Sequence, residues 1–329
     1  MWCGVNSIKL SPVCILDTGD IMFNSHIFSG HRQIIMAILL ATSASISAQD
    51  DLTWNSLDPE NTVYLQLQDD TVVIELNPVF APKTVEHFKE LLEEQFYRGL
   101  SFYRVIDGFV AQGGDESDID DNQPAKTLEA EFEITWPLKP EDKEEAEGWQ
   151  PMPWTPVQEG DLYAPFTGFI DGFAAARDNK KAGKVWLTHC PGAIAMARNE
   201  DPDSSSTDFY IVIGQAPRYL DRNLTVFGRV VWGMDVVQRI KRGPTLKNGI
   251  IEEDLDRSYI KRMRLASSLD RNEQLDVWVA DTNSDGFRKM LKERRNRSDK
   301  FFHHKPPRVL DVCQVPVPAR LEKKSSLRP

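Results

Sequence analysis

Cysteine is scarce in this sequence. There are four in 329 residues, and Cys3 and Cys14 lie in an N-terminal stretch that reads as a leader. That leaves Cys190 and Cys313, too few for the closed four-ligand zinc sites built on cysteine and histidine. Histidine is no richer beyond residue 48: His87 falls on a helical pattern, His189 stands beside Cys190, and His303 and His304 sit among basic residues near the end. His189 and Cys190 are neighbours on an extended stretch, so their side chains should diverge rather than act together. No nucleophile elbow, phosphate-cradling glycine loop or dinucleotide fingerprint occurs, so no metal or cofactor is expected. Positive charge is in deficit as well. The net charge of −11 repels phosphate backbones and argues against a nucleic-acid partner.

Long apolar runs are missing too. Residues 34–41 read Ile-Ile-Met-Ala-Ile-Leu-Leu-Ala, well short of the roughly 20 residues that cross a bilayer. His31 and Arg32 precede this run, and small residues follow it up to Ala48. Charge, apolar stretch and small residues in that order read as a secretory leader with cleavage expected after Ala48, the alternative being a buried helix or a retained anchor. Met22 would start a leader of ordinary length. The organisation expected is a leader at 1–48, a main domain at 49–268 interrupted by an excursion at 116–188, and a C-terminal extension at 269–329. The mature chain should be exported, periplasmic or secreted, monomeric, and without stable membrane insertion.

The main domain alternates. Val63, Leu65 and Leu67 share one side, a turn at Asp69-Asp70 follows, and Val72, Ile74 and Leu76 resume, which predicts a hairpin. Pro82 opens a helix with Val85, Phe88, Leu92 and Phe96 on one stripe, closed by Gly99. Further strands are expected at 101–106, 109–112, 192–197, 209–213, 225–231 and 258–266, with a second short helix at 234–241. Eight strands and two helices predict a mainly β fold: a closed antiparallel barrel with helices over its ends. The excursion is acidic at 141–147 but holds Trp136, Trp149, Trp154, Tyr163 and Phe166, so it should pack on the barrel around a mobile acidic tip near 140–148. In the extension, 275–280 and 309–317 read as strands, 287–295 as a basic helix, and 321–329 as frayed. Cys190 and Cys313 could pair in an oxidising compartment, or remain as two unpaired buried thiols.

Four blocks carry a family resemblance. They are Phe102-Tyr103-Arg104-Val105-Ile106-Asp107-Gly108-Phe109-Val110-Ala111-Gln112-Gly113-Gly114-Asp115, then Gly192-Ala193-Ile194-Ala195-Met196-Ala197-Arg198, then Ser206-Thr207-Asp208-Phe209-Tyr210-Ile211, then 219–230 beginning Tyr219-Leu220-Asp221-Arg222-Asn223-Leu224. In this order they resemble the cyclophilins, over about 61–115 and 189–266. The resemblance implies a cyclophilin-like barrel and a peptidyl-prolyl isomerase acting on proline-containing polypeptides. It places Arg104 as the catalytic donor and Gln112 as the group that orients the substrate backbone. Phe109, Val110, Tyr210 and Leu220 would form the proline pocket, with Ala197, Arg198, Tyr219 and Leu224 around the adjoining groove. Val110, Asp208, Tyr210, Tyr219 and Leu224 stand where many members have methionine, glutamine, phenylalanine, tryptophan and histidine. The residues agree with this reading, because Arg104 lies in an apolar and aromatic run, followed by an apolar wall and a second polar group. Two rivals stand beside it: a non-catalytic proline-peptide-binding module or chaperone on the same fold, and a barrel enclosing a small apolar ligand.

The leader reading is checked by intact mass. The exported protein should begin near Gln49, and a mature chain starting before Ile34 would contradict the cleavage.

Overall fold

In the computed structural model, described for residues 51–116, 126–136 and 152–322, the chain enters through β1 (Trp54–Ser56). The hairpin follows as β2 (Thr62–Leu67) and β3 (Asp70–Leu76). Leu67 pairs with Asp70, so the turn is Gln68-Asp69 rather than Asp69-Asp70, and Gln68 takes the positive φ of 52°. Helix α1 (Pro82–Glu93) stops short of the expected end: Gln95 turns left-handed, and Gly99 belongs to the next turn. Proline suits the first helical turn, where its missing N–H is not needed. Ala81 cannot cap α1 with its side chain. Glu131 of the excursion does so from a distance, accepting from the Lys83 and Thr84 backbone amides at 2.9 Å each.

Next come β4 (Ser101–Ile106) and β5 (Val110–Gly114). The excursion then supplies β6 (Ile134–Trp136), β7 (Thr155–Glu159), β8 (Phe166–Ile170), β9 (Phe173–Arg177) and β10 (Gly183–Leu187). The chain returns through β11 (Ala193–Met196), β12 (Phe209–Val212), β13 (Val226–Trp232), a single turn α2 (Met234–Val237) and β14 (Ser258–Leu265). The tail holds β15 (Asp276–Ala280), α3 (Asp285–Asn296) and β16 (Ala319–Glu322).

Eight strands close a barrel in the order β11-β12-β5-β4-β14-β2-β3-β13, all neighbours antiparallel, with β13 returning to β11. The interior is filled rather than hollow. Phe88 from α1 meets Phe227 with ring centroids 4.9 Å apart, Tyr97 at 5.3 Å and Phe209 at 5.9 Å, and Phe102 meets Phe209 at 5.9 Å. Val236 and Val237 of α2 join this core. Contacting rings at the centre argue against a barrel built around a small apolar ligand.

The excursion is a second five-stranded sheet, order β6-β10-β9-β8-β7. One face, with Trp136, Ile170, Phe173, Val185 and Leu187, packs on the barrel's outer wall at Ala193, Ala195, Val212 and Val226. The other carries Val157 and Phe169 against Phe287 and Leu291 of α3. Three layers result: barrel wall, sheet, helix. Trp154 stacks under the Arg177 guanidinium at 4.2 Å, while Tyr163 is half exposed. Trp149 and the acidic stretch near 140–148 lie outside the described residues, as do residues 1–48, where a leader is expected.

The tail departs from expectation at one strand. Residues 309–317 form no strand; they hold a short turn of 3₁₀ helix at Val312–Gln314, and the strand falls later as β16. Leu321 therefore sits in a strand rather than a frayed end. β16 and β1 flank β15 in a three-stranded sheet, so the segment before the barrel and the tail after it pair through β15. Cys190 and Cys313 are bonded across 123 residues of sequence, tying the tail to the segment between β10 and β11. A crosslink closing so long a loop restricts the unfolded chain and should contribute about 2–4 kcal/mol. Cys313→Ser should lower the unfolding free energy by that order in denaturant titrations. Equal stability with and without the bond would show that the tail docks through packing alone.

Candidate active site

Alternation sets the chemistry of the barrel wall. Along β5, β12 and β11, Ala111, Phe209, Ile211, Ile194 and Met196 point inward to the core. Their neighbours Val110, Tyr210, Val212, Ala193 and Ala195 point outward. Strict alternation along β4 would put Phe102 inside and Val105 outside, yet both lie in the core. The register shifts between Ser101 and Arg104, and this irregularity resets the phase. Arg104 thereby becomes the cross-strand partner of Gln112, which partners Tyr210, which partners Ala195. Four strands present one row on the outer wall.

Loop backbone holds β4 in place. Val105 N–H donates to Gly249 O at 2.8 Å, Gly243 N–H to Val105 O at 2.9 Å, and Ile251 N–H to Tyr103 O at 2.8 Å. Gly249 has φ of 78°, and a Cβ there would lie 2.8 Å from Val105 O, so a side chain would push the loop off the strand that carries Arg104.

The side chains of this row form a hydrogen-bonded chain. Arg104 Nη1 donates to Gln112 Oε1 at 2.9 Å, Gln112 Nε2 donates to Tyr103 Oη at 2.7 Å, and Tyr103 Oη donates to Asp208 Oδ1 at 2.8 Å. Burial, reinforced by the Asp208 carboxylate, pushes the Tyr103 phenol far above its ordinary pKa, so it stays a neutral donor. Burial also draws Arg104 below the usual arginine value, although a guanidinium remains charged at any physiological pH. Among the described residues, one of its five N–H groups donates to a side chain, that of Gln112.

Around the row, Val110 and Tyr210 are buried, while Phe109, Ala197 and Leu224 are half-buried in the same apolar cluster. Leu220 is half-buried outside that cluster, and Tyr219 is 62% exposed on the short turn Arg218–Leu220. Arg198 spends its donors on backbone carbonyls, Nε to Asn223 at 2.9 Å and Nη1 to Asn199 and Glu200. It thus fastens the loop that carries Asn223 to the end of β11. Tyr219 also lines a cavity of about 650 Å³ with Phe132, Tyr163, Trp186 and Arg222, where the excursion meets this loop.

Two polar partners in this region were not foreseen from sequence, Tyr103 and the pair His189–Asp221. Tyr103 faces outward as the neighbour of inward Phe102, but nothing in the sequence shows the bulge that sets Arg104 beside it. His189 indeed does not act with Cys190; its partners lie farther along the chain. Asp221 Oδ1 accepts from the His189 backbone amide at 2.9 Å and faces its Nδ1 at 3.0 Å. The carboxylate can only accept, so Nδ1 is the donor to it, and Nε2 lies 2.8 Å from the Tyr210 hydroxyl. Asp221 Oδ2 in turn takes Arg218 Nε, and Arg218 faces Asp161 of the excursion at 3.4 Å, as an ion pair without hydrogen-bond geometry. Tyr210, whose phenol burial drives well above its ordinary pKa, is thus held at its tip as well as by its ring.

The comparisons with known proteins agree with one another. The family model of the cyclophilin type peptidyl-prolyl cis-trans isomerases matches residues 62–263. A probable peptidyl-prolyl cis-trans isomerase of Brucella suis is 31% identical over 224 residues, 66% of this chain and 89% of the relative. Peptidyl-prolyl cis-trans isomerase B of Bacillus subtilis is 28% identical over 192 residues, 58% of this chain and 98% of that one. The crystal structure of a cyclophilin from Hirschia baltica superposes with a TM-score of 0.62 at 27% identity, over 84% of this chain and 97% of the other. That share is too large for the barrel alone, so the likeness extends into the excursion and tail.

The lock on Tyr210 is open to a double-mutant cycle. Tyr210→Phe leaves Nε2 of His189 buried without a donor and should cost about 1–2 kcal/mol of unfolding free energy. His189→Ala should cost more, since it also opens a cavity and strands Asp221. The double variant should fall short of the sum by at least ~0.5 kcal/mol. Strict additivity would mean that the two side chains do not interact.

Proposed function

The chain belongs to the cyclophilin-type peptidyl-prolyl cis-trans isomerases, and on that premise we propose that Arg104 is its main catalytic group and that its substrates are proline-containing chains of exported proteins. The observation that carries the first part is the placement of Arg104. Its guanidinium donates to Gln112, it is half-buried, and it is set on the same outer wall as the apolar cluster that holds Val110 and Tyr210. Export is supported by the leader pattern at 31–48 and by the Cys190–Cys313 bond, which suits an oxidising compartment.

The reaction asks for little chemistry. Amide resonance sets a barrier of ~18–20 kcal/mol to rotation about the peptide bond, and isomerisation at proline takes tens to hundreds of seconds unaided. No covalent bond forms or breaks, so neither a nucleophile nor a general acid is needed. The catalyst must bind the twisted amide better than either planar form. When the amide twists, the nitrogen lone pair leaves the carbonyl and localises. A cationic N–H donor aimed at that amide stabilises the localised pair and so favours the twisted state. Half-burial strengthens the interaction by removing competing water. Val110, Tyr210 and Phe109 hold the pyrrolidine ring, which contributes binding common to ground and transition states. Gln112 has two duties: its carbonyl orients Arg104, and its amide retains one N–H for the substrate backbone. Tyr103 and Asp208 sit behind Gln112 and prevent its amide from flipping, because only one orientation satisfies both Arg104 and Tyr103.

Arg104→Ala should lower kcat on a proline tetrapeptide about 10²–10³-fold, the loss typical of removing one preorganised donor, with a smaller change in peptide affinity. Arg104→Lys should also be poor, since a point charge lacks the planar fork. A melting curve alongside confirms folding. Near-normal turnover by folded Arg104→Ala would refute the mechanism and favour a module that binds proline peptides through the apolar floor.

A further inference from the structure

The tail carries a charge imbalance opposite to that of the whole chain. Residues 285–308 hold nine Lys or Arg and three Asp or Glu, a net of +6 in a protein of net −11. The buried side of α3, Phe287 and Leu291, packs on the excursion, so its other side faces solvent. Arg288 and Lys289 have acidic partners, Asp285 and Asp51, while Arg295 is held by the Val157 carbonyl. Lys292, Arg294, Lys300, Lys305 and Arg308 are exposed and have no acidic partner among the described residues. A merely solvated helix face interleaves charges of both signs. Here the cations outnumber the acids nine to three.

An apolar point stands within the strip. Asp299 builds a turn after α3, its Oδ1 accepting from Phe301 N–H at 2.7 Å and its carbonyl accepting from Phe302 N–H at 3.2 Å. The Arg297 guanidinium lies 6.0 Å from the Phe302 ring and anchors it. Phe301 then stands edge-on to Phe302 at 5.3 Å and is 80% exposed, between Lys300 and the His303-His304-Lys305 run. A turn that presents a phenylalanine to water, flanked in sequence by Lys300 and Lys305, leaves apolar area uncovered in the free protein.

We propose that this strip is a peripheral docking surface for an anionic phospholipid membrane, with Lys292, Arg294, Lys300, Lys305 and Arg308 facing the headgroups and Phe301 entering the interface. Clusters of four to eight cations with an adjoining apolar side chain are what such surfaces attract. The net negative charge elsewhere does not oppose this, because charges farther than about 10 Å from the membrane are screened at ordinary ionic strength. Among the described residues no helix is long and apolar enough to cross a membrane, so the association is peripheral. Lipid fits better than nucleic acid, since strand binding uses successive aromatic platforms along a groove, and the strip offers one exposed ring. The proposal is independent of the isomerase chemistry and of export.

The test is co-sedimentation of the full chain with phosphatidylcholine vesicles, with and without phosphatidylglycerol, at low and raised salt. Binding should require phosphatidylglycerol and weaken steeply with salt. Each cation lost should weaken it roughly five-fold. Lys300→Glu with Lys305→Glu should therefore abolish measurable binding, and Phe301→Ala should weaken it several-fold while leaving the salt dependence in place. Both variants should isomerise a soluble proline peptide at the normal rate, which shows that they are folded. No binding, equal binding to neutral vesicles, or binding indifferent to these substitutions would overturn the proposal. So would tighter binding to a single-stranded oligonucleotide that displaces the vesicles.

Discussion

Strict alternation along β4 from Phe102 would send Val105 outward and Arg104 into a barrel filled by Phe102 and Phe209, where a guanidinium would meet apolar rings. An unpaired charge there is prohibitively expensive. The register shift between Ser101 and Arg104 resolves the conflict: it brings Val105 into the core with Phe102 and leaves Arg104 beside Tyr103 on the outer wall. The site depends on that one irregularity. It brings Arg104 opposite Gln112, and because Gln112 is opposite Tyr210, it aligns a cation, an amide and an aromatic wall without any insertion loop. The backbone of 243–251 replaces the ladder that β14 does not supply, since β14 pairs with β4 only at Phe102 and Ser101.

Two polar chains then hold the wall from behind. One runs Arg104, Gln112, Tyr103, Asp208; the other runs Tyr210, His189, Asp221, Arg218 and reaches Asp161 in the excursion. Each of these side chains is buried or half-buried, and each is worth keeping only if its partners are present, since an orphaned buried group costs about 1–3 kcal/mol. The excursion is therefore more than a cover. Its apolar face backs the wall, Glu131 caps α1, and Asp161 ends the second chain.

Much of the barrel was legible because its strands alternate cleanly and its helix α1 has a three-and-four stripe ending in an interior of phenylalanines. The excursion was legible only as something packed. Its strands are three to five residues long, hold Pro156 and Gly168, and turn at Gly172, too brief for periodicity to speak. The misplaced strand at 309–317 has a physical reason. Its apolar residues are interrupted by Pro316, and Asp311 accepts from Cys313 N–H, which favours a tight turn over an extended ladder. The true strand lies just beyond, where Arg320 stacks on Trp54 at 4.6 Å and Trp278 at 5.8 Å, a contact between distant segments that no local pattern announces. In the site, Arg104, Gln112, Phe109, Val110 and Tyr210 stood out through family resemblance. His189 did not, because its partners lie 21 and 32 residues away and only the barrel's closure brings them together.

That closure also joins two features that sequence kept apart. His189 and Cys190 are adjacent, and they point into different layers: the imidazole toward Tyr210 on the barrel wall, the sulfur toward Cys313 and the tail. The Thr188 hydroxyl meets the same sulfur at 3.1 Å and also donates to the Ala174 carbonyl of β9, which ties the segment to the second sheet. Three consecutive residues are thus each fixed to a different layer. A segment so constrained cannot shift toward one layer without breaking a bond to another, so the imidazole that holds Tyr210 is itself held by the excursion and the tail. For a catalyst whose task is to favour a twisted amide over planar forms of nearly the same shape, a wall that does not adapt to the ground state is what discrimination requires. On the proposed reading, the excursion and the extension would support the site by fixing the segment from which His189 holds Tyr210.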